Sequence, residues 1–444
     1  MNGSATLERP VAPPRADRPA AGSALGAERA LDKWLAIQGI NLDRHAKSLR
    51  NFDKAEFGTG PASPSEAHIE AANRFLSRFR EKLIERSRWV DAAVAAARRE
   101  PSEDRLRRVL VRKQAISTRV TYVEGIWDFY FDLFVQRLSK FGERLRAVDR
   151  IGANCYEDLY VGMGTAKPTP TLLPFSYAQS GFSPLTYRRG VPVTRLRRQP
   201  NPFPLIMLPQ HRLENVWALS SVLHEVSHNL QADLGMWELL PKIIQLRMTE
   251  DRIPEDVAEV WARWNKEITA DVFALLFGGP AAVESLMDVV GRAPGSTVKF
   301  SALSAHPTPF LRVGINLVLL RRLGFSAFAD NIERIWKRLY PGITPADIPP
   351  AFAQTFDRAA QIAVDAMAFQ PYKQFGKKSL AQILEFGLPQ MQMIEEAANR
   401  LAAAGDPGAI PPRFMIGAAR LALDRGLATP QAINDQFYRV LGRR

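Results

Sequence analysis

His224-Glu225-Val226-Ser227-His228 sets two imidazoles four residues apart, with a carboxylate next to the first. On a helix, positions i and i+4 share a face, so both rings reach one point in space. Two imidazoles placed this way can hold one zinc ion. Glu225 then stands where it can take a proton from a water that the metal activates. The surrounding segment reads as a helix over residues 212–232. Val216, Leu219, Leu223, Val226 and Leu230 recur at helical spacing and make its buried stripe. On a wheel of about 100° per residue the histidines fall roughly 140° from the centre of that stripe. They must therefore face another element.

The pentapeptide also arises by chance in large sequence collections, so a third ligand decides whether it holds metal. Glu267, 39 residues beyond His228, is the candidate. It shares one helical face with Val260, Trp264, Asp271 and Ala274. Two carboxylates four residues apart on an otherwise apolar face repel each other, and burying either without a partner is costly. A cation at Glu267 and an imidazole at Asp271 would answer both needs. Asp271 would accept the N–H of a zinc-bound ring, that of His224, and so fix its tautomer. A third element, His306-Pro307 followed by Arg312, lies in a polar loop over residues 301–308 and the helix expected over 309–323.

Taken in order, His224-Glu225-x-x-His228, Glu267-x-x-Ala270-Asp271 and His306-Pro307 with Arg312 resemble the gluzincin metallopeptidases, most closely the HtpX and CAAX-prenyl-protease type. The resemblance covers about residues 204–320, roughly a quarter of the chain. It implies zinc on His224, His228 and Glu267, and Glu225 as general base. It further implies Asp271 as orienting partner, with His306 and Arg312 lining the site near the developing oxyanion. A thermolysin-like core is expected with it, in which a strand leads to the motif helix and a second helix brings Glu267. Two departures stand out. Ser227 occupies a position where many relatives have Gly, and the membrane spans usual in the family are missing.

Composition limits the other possibilities. An apolar fraction of 46% with 24% charged residues is that of an ordinary soluble protein, and the 444 residues leave room for two or three domains. The single cysteine, Cys155, excludes a disulfide framework or a cysteine zinc cage, and it reads as a small buried hydrophobe. With no apolar signal core and no spanning segment, a cytoplasmic location is expected. The 59 Lys+Arg against 46 Asp+Glu give a net charge of +13. No nucleic-acid-binding motif accompanies that charge, so nucleic acid is not an expected partner and a peptide or protein substrate is.

The expected fold is mainly α with a small sheet. A Pro-, Ala- and Arg-rich tail over residues 1–27 reads as disordered, followed by a helical region over 28–151 whose aromatic run Trp127–Phe131 belongs to a core. Residues 152–324 would form the zincin-like core, opening with β-prone pieces over 152–210 and an arginine-rich stretch, Arg188, Arg189, Arg195, Arg197 and Arg198. Residues 204–208 are a strand candidate whose edge could pair with an extended substrate. Helices over 325–444, broken at Gly405-Asp406-Pro407-Gly408, would form a separate C-terminal domain. Two other functions fit the same sequence: a zincin-fold binding or regulatory protein without peptidase activity, and a basic nucleic-acid or membrane-surface binder.

Overall fold

The structure, a computed structural model, describes residues 21–164, 167–341 and 347–443. It is mainly helical with a small sheet. Helices α1 (Ala21–Ser48), α2 (Glu66–Arg99), α3 (Glu103–Val135) and α4 (Gly142–Met163) come first. Strands β1 (Phe175–Gln179), β2 (Leu185–Tyr187), β3 (Pro192–Val193), β4 (Gln199–Pro200) and β5 (Leu205–Pro209) follow. The remaining helices are α5 (Ser220–Asp233), α6 (Met236–Glu250), α7 (Glu255–Gly278), α8 (Pro280–Val290), α9 (Pro294–Thr297), α10 (Pro309–Arg322), α11 (Ser326–Leu339) and α12 (Pro350–Val364). After them come α13 (Leu380–Ile383), α14 (Leu388–Ala402), α15 (Phe414–Asp424) and α16 (Pro430–Gly442). No helix among the described residues is long and apolar enough to cross a membrane.

Two units emerge, drawn differently from the expected domains. One takes the chain up to Asn51 together with Leu76–Trp127. Its core is a stripe of aliphatic side chains, among them Leu35, Leu42, Leu83, Val90, Val109 and Val120. The expected tail over residues 1–27 lies mostly outside the described residues. Its final part is helical, because α1 already begins at Ala21 in an alanine-rich run with high helix propensity.

The other unit holds Phe52–Phe75 and Asp128–Arg444. One hydrophobic core runs from α4 through α5 and α7 to α16, so residues 325–444 pack into the same core as the metal-motif helix. Tyr438 on α16 donates to the carbonyl of Leu213 (2.6 Å), and Arg413 pairs with Asp158 on α4 (2.9 Å). Helix α4 also differs from expectation. It runs through Gly152 to Met163, because the buried stripe of Ile151, Cys155, Leu159 and Met163 continues its period across that glycine. Cys155 is fully buried, and burial pushes its thiol well above the ordinary range, which makes it inert.

The sheet has the order β1-β5-β2, with β5 parallel to β1 and antiparallel to β2. Every residue of β5 is buried. The strand expected at 204–208 is thus central: Phe175 to Gln179 pair along one side and Leu185 to Tyr187 along the other. Its backbone cannot receive a substrate, which corrects the edge-pairing expectation. The edge positions belong to β1, buried except at Gln179, and to half-buried β2.

His68 ties α2 to the end of the loop before β1. Its Nε2–H donates to the carbonyl of Leu173 (3.0 Å), Ser65 Oγ meets Nδ1 (2.7 Å), and the ring packs on Phe175 and Phe203. Burial, only partly offset by the Leu173 bond, lowers its pKa below 6.5. The unfolded chain therefore takes up a proton here before the folded chain does. The resulting stability is complete above pH 6.5 and is lost as pH falls toward the lower folded value. Urea unfolding between pH 7.5 and 5 should show a stability loss in the wild type that is smaller in His68→Phe, by up to about 1.4 kcal/mol per pH unit. Parallel stability curves for the two proteins would contradict this.

Candidate metal centre

Helix α5 begins at Ser220 rather than at 212. Asn215 (φ −129°, ψ 77°) interrupts the helical backbone, and the residues around it form two 3-10 turns, Gln210–Glu214 and Val216–Ala218. The pentapeptide lies wholly within α5. Its expected stripe, Val216, Leu219, Leu223, Val226 and Leu230, is completely buried. Ser227 is also buried and returns its hydroxyl to the Leu223 carbonyl (2.6 Å), so the position tolerates it without an orphaned polar atom. The helix ends where Gly235 takes a left-handed conformation (φ 68°) that a side chain would strain.

Helix α7 starts behind Pro254, with Glu255 and Asp256 in its first turn favouring the helix dipole. It is buried along most of its length, Trp261 and Trp264 included, and this is what carries Glu267 and Asp271 into the interior. Helix α10 starts with Pro309 at its first position and supplies Arg312 and Asn316, one turn apart.

The ring of His224 is held by Asp271: its Nδ1–H donates to Oδ1 at 2.8 Å, which turns Nε2 toward His228 and Glu267. That Nε2 lies 3.1 Å from Nε2 of His228 and 3.3 Å from Oε2 of Glu267, while His228 Nε2 is 3.5 Å from Glu267 Oε1. Ligand atoms about 2.0–2.1 Å from a tetrahedral zinc lie roughly 3.3 Å from one another. His224, His228 and Glu267 therefore form a group that can hold a metal ion, and all their ligand atoms lie within 4.8 Å of one another.

Asp271 is 5% exposed and accepts more than the imidazole. Arg312 donates to it from Nε (2.6 Å) and Nη2 (2.8 Å), and Asn316 approaches at 3.5 Å. Arg312 lines the site as expected, and the structure adds a contact: two of its nitrogens grip Asp271, and Nη2 is also 3.4 Å from Glu267. His306 remains at the lip, its side chain 65% exposed and its Nε2 3.4 Å from Glu267 Oε2. Asn316 was missed in the sequence, although its i+4 spacing from Arg312 was visible. So was Asn229, which donates to Thr186 Oγ1 (2.6 Å) and fastens α5 to β2.

Burial works against the charged form of each group here, and the neighbours decide which wins. For His224 the hydrogen bonds to Asp271 and Glu267 outweigh burial and lift it to about 10, so a cation bound here must displace the proton on Nε2. His228 is pressed down to about 3 by burial and by the charge on His224, which keeps it neutral. Asp271 is held near about 2, since Arg312 and His224 overcome its burial. Glu267 is held well below the usual carboxylate range by His224 and Arg312, again against burial. Glu225 is pushed up to about 7 by burial, which the charges of His224 and Arg312 offset only in part.

The cluster opens into a cavity of about 700 Å³. Leu185 and Thr186 of β2 line it, as do Glu225, His306 and, on α8, Ala282, Leu286 and Val289. Of the arginine-rich stretch, Arg188 alone reaches this cavity. Arg195 instead pairs with Asp132 (3.5 Å). No family model, curated protein or solved structure matches this chain.

Two outcomes follow from the geometry. Elemental analysis should find about one zinc per chain in the wild type and far less in Glu267→Gln, with Asp271→Asn weakening affinity by about 10–100-fold. Equal zinc in the wild type and Glu267→Gln would remove Glu267 from the ligand set. Arg312→Met leaves the Asp271 charge buried with less compensation and should cost about 3–5 kcal/mol of unfolding free energy in urea. A loss below about 1 kcal/mol would show that the ion pair does not hold the site together.

Proposed function

We propose that the chain is a zinc-dependent metallopeptidase of gluzincin type, acting on peptide bonds within extended chains. The observation that carries the reading is the convergence of His224, His228 and Glu267 on one point in the wall of a large cavity, with Glu225 beside it. The separations within this donor set suit zinc; once His224 loses its Nε2 proton as the cation binds, two neutral nitrogens with one carboxylate leave a position for water. When bound, zinc supplies Lewis acidity, which makes a water acidic near neutral pH and polarises the substrate carbonyl.

The chain's own residues account for the remaining steps. Glu225 takes the proton of the attacking water and returns it to the leaving amine. His306 lines the cavity at its exposed lip, from where it can donate a hydrogen bond to the developing oxyanion. Asp271 and Arg312 do not touch the substrate; they hold the His224 ring in the tautomer that points Nε2 at the ligand point. Strand β2 lies at a sheet edge along the cavity, with no further strand beside it among the described residues, and an extended peptide can align there by main-chain hydrogen bonds.

One observation favours a second reading, a binding or regulatory protein that keeps this arrangement without hydrolysis. Arg312 and His306 both lie 3.4 Å from Glu267, so protein groups already neutralise part of its charge. Glu225→Gln separates the two readings. With a fluorogenic peptide mixture, the wild type should hydrolyse, and the variant should retain zinc while losing about 100-fold or more of the rate. A fully active variant would overturn the mechanism. Zinc-loaded wild type that cleaves nothing in the mixture would support the second reading.

A further inference from the structure

Beyond the metal ligands the cavity carries charge of one sign. Its acidic lining residues are Glu225, Glu267 and Asp271, all within the cluster described above. The other charged groups in its wall are Arg188, Lys266 and Arg292. Among the described residues none of these three forms an ion pair. Glu238 acts on Arg188 only through space. With a divalent cation bound, the three carboxylates are balanced by that ion and Arg312, and the field in the cavity belongs to the three remaining cations.

Two of them share one aromatic side chain. The guanidinium of Arg188 lies 3.4 Å from the ring centroid of Trp237, and the ammonium of Lys266 lies 3.9 Å from it. An indole face attracts a cation, but it does not cancel the repulsion between two of them. Both side chains are half-buried, and burial lowers the Arg188 pKa, so desolvation is felt there. Two converging, partly desolvated cations without a carboxylate form a seat for an anion.

Their places in the chain fix where that anion would lie. Arg188 immediately follows β2, and Lys266 immediately precedes Glu267. A peptide extended along β2 would bring a side chain to this seat within a few residues of the bond at the metal centre.

Building on the peptidase reading of the cavity, we infer that it selects acidic peptides, with a substrate carboxylate docking on Arg188 and Lys266 beside Trp237. The arginine-rich stretch thereby contributes one residue to recognition, and the remaining arginines stay outside the cavity.

The test uses the full-length, zinc-loaded Glu225→Gln chain, so that binding is read without cleavage. Three fluorescein-labelled decapeptide mixtures are compared by anisotropy: one rich in Glu with amidated ends, the same with Gln replacing Glu, and the Gln mixture with a free C-terminal carboxylate. At low salt the Glu mixture should bind about 10-fold or more tightly than the amidated Gln mixture, and the advantage should shrink as salt rises. Adding Arg188→Gln and Lys266→Gln should abolish the advantage while leaving zinc content and helical circular dichroism unchanged. Tight binding of the free-carboxylate mixture in addition to the Glu mixture would also support the seat and show that it accepts a chain end as well. Equal binding of the Glu and amidated Gln mixtures, or an advantage that survives the double substitution, overturns the inference. Absence of hydrolysis by the wild type would instead sink the peptidase reading and leave this binding result standing.

Discussion

Asp271 is the buried carboxylate on which the site depends. It accepts from His224 on α5, from Arg312 on α10 and, more distantly, from Asn316, while sitting on α7. Three helices are joined at one side chain. Each partner is required by the others: the carboxylate needs the guanidinium, and the imidazole needs an acceptor on Nδ1 to leave Nε2 free. Such a junction is stable only when complete, because a single missing member leaves a charge or a polar hydrogen buried alone.

The surrounding fold supplies rigidity and access. α7 is enclosed by apolar side chains from several helices, including those near the C-terminus, so Glu267 cannot retreat from the ligand point into water. β5 anchors the sheet from its centre, and half-buried β2 carries its edge along the cavity. Asn229 and Thr186 couple that edge to the helix bearing the histidines. The strand edge at the cavity and the candidate metal centre are therefore fastened to each other.

Much of the site was legible because it is local. The pairing of His224 with His228 and the shared face of Glu267 and Asp271 follow from helical spacing alone, and the His224–Asp271 contact follows from the charge left on an apolar face. Features governed by tertiary pairing were not legible. Nothing in residues 204–208 reveals that β5 has neighbours on both sides, since a short apolar run reads the same at an edge or a centre. Gly152 read as a break, though the buried stripe of α4 passes through it. The reach of Arg312 to Asp271, and the selection of Arg188 from its neighbours for the cavity wall, depend on how distant helices meet. The C-terminal helices read as a separate domain because their periodicity shows an apolar face but not its partner.

The proposed function rests on His224, His228 and Glu267 being able to bind one zinc ion at a single point. Zinc K-edge X-ray absorption on the purified chain tests this most directly. About one zinc per chain is expected, with nitrogen and oxygen neighbours at about 2.0–2.1 Å and outer-shell scattering from two imidazoles. A chain that binds no zinc at saturating metal, or whose zinc shows no imidazole scattering, would contradict it.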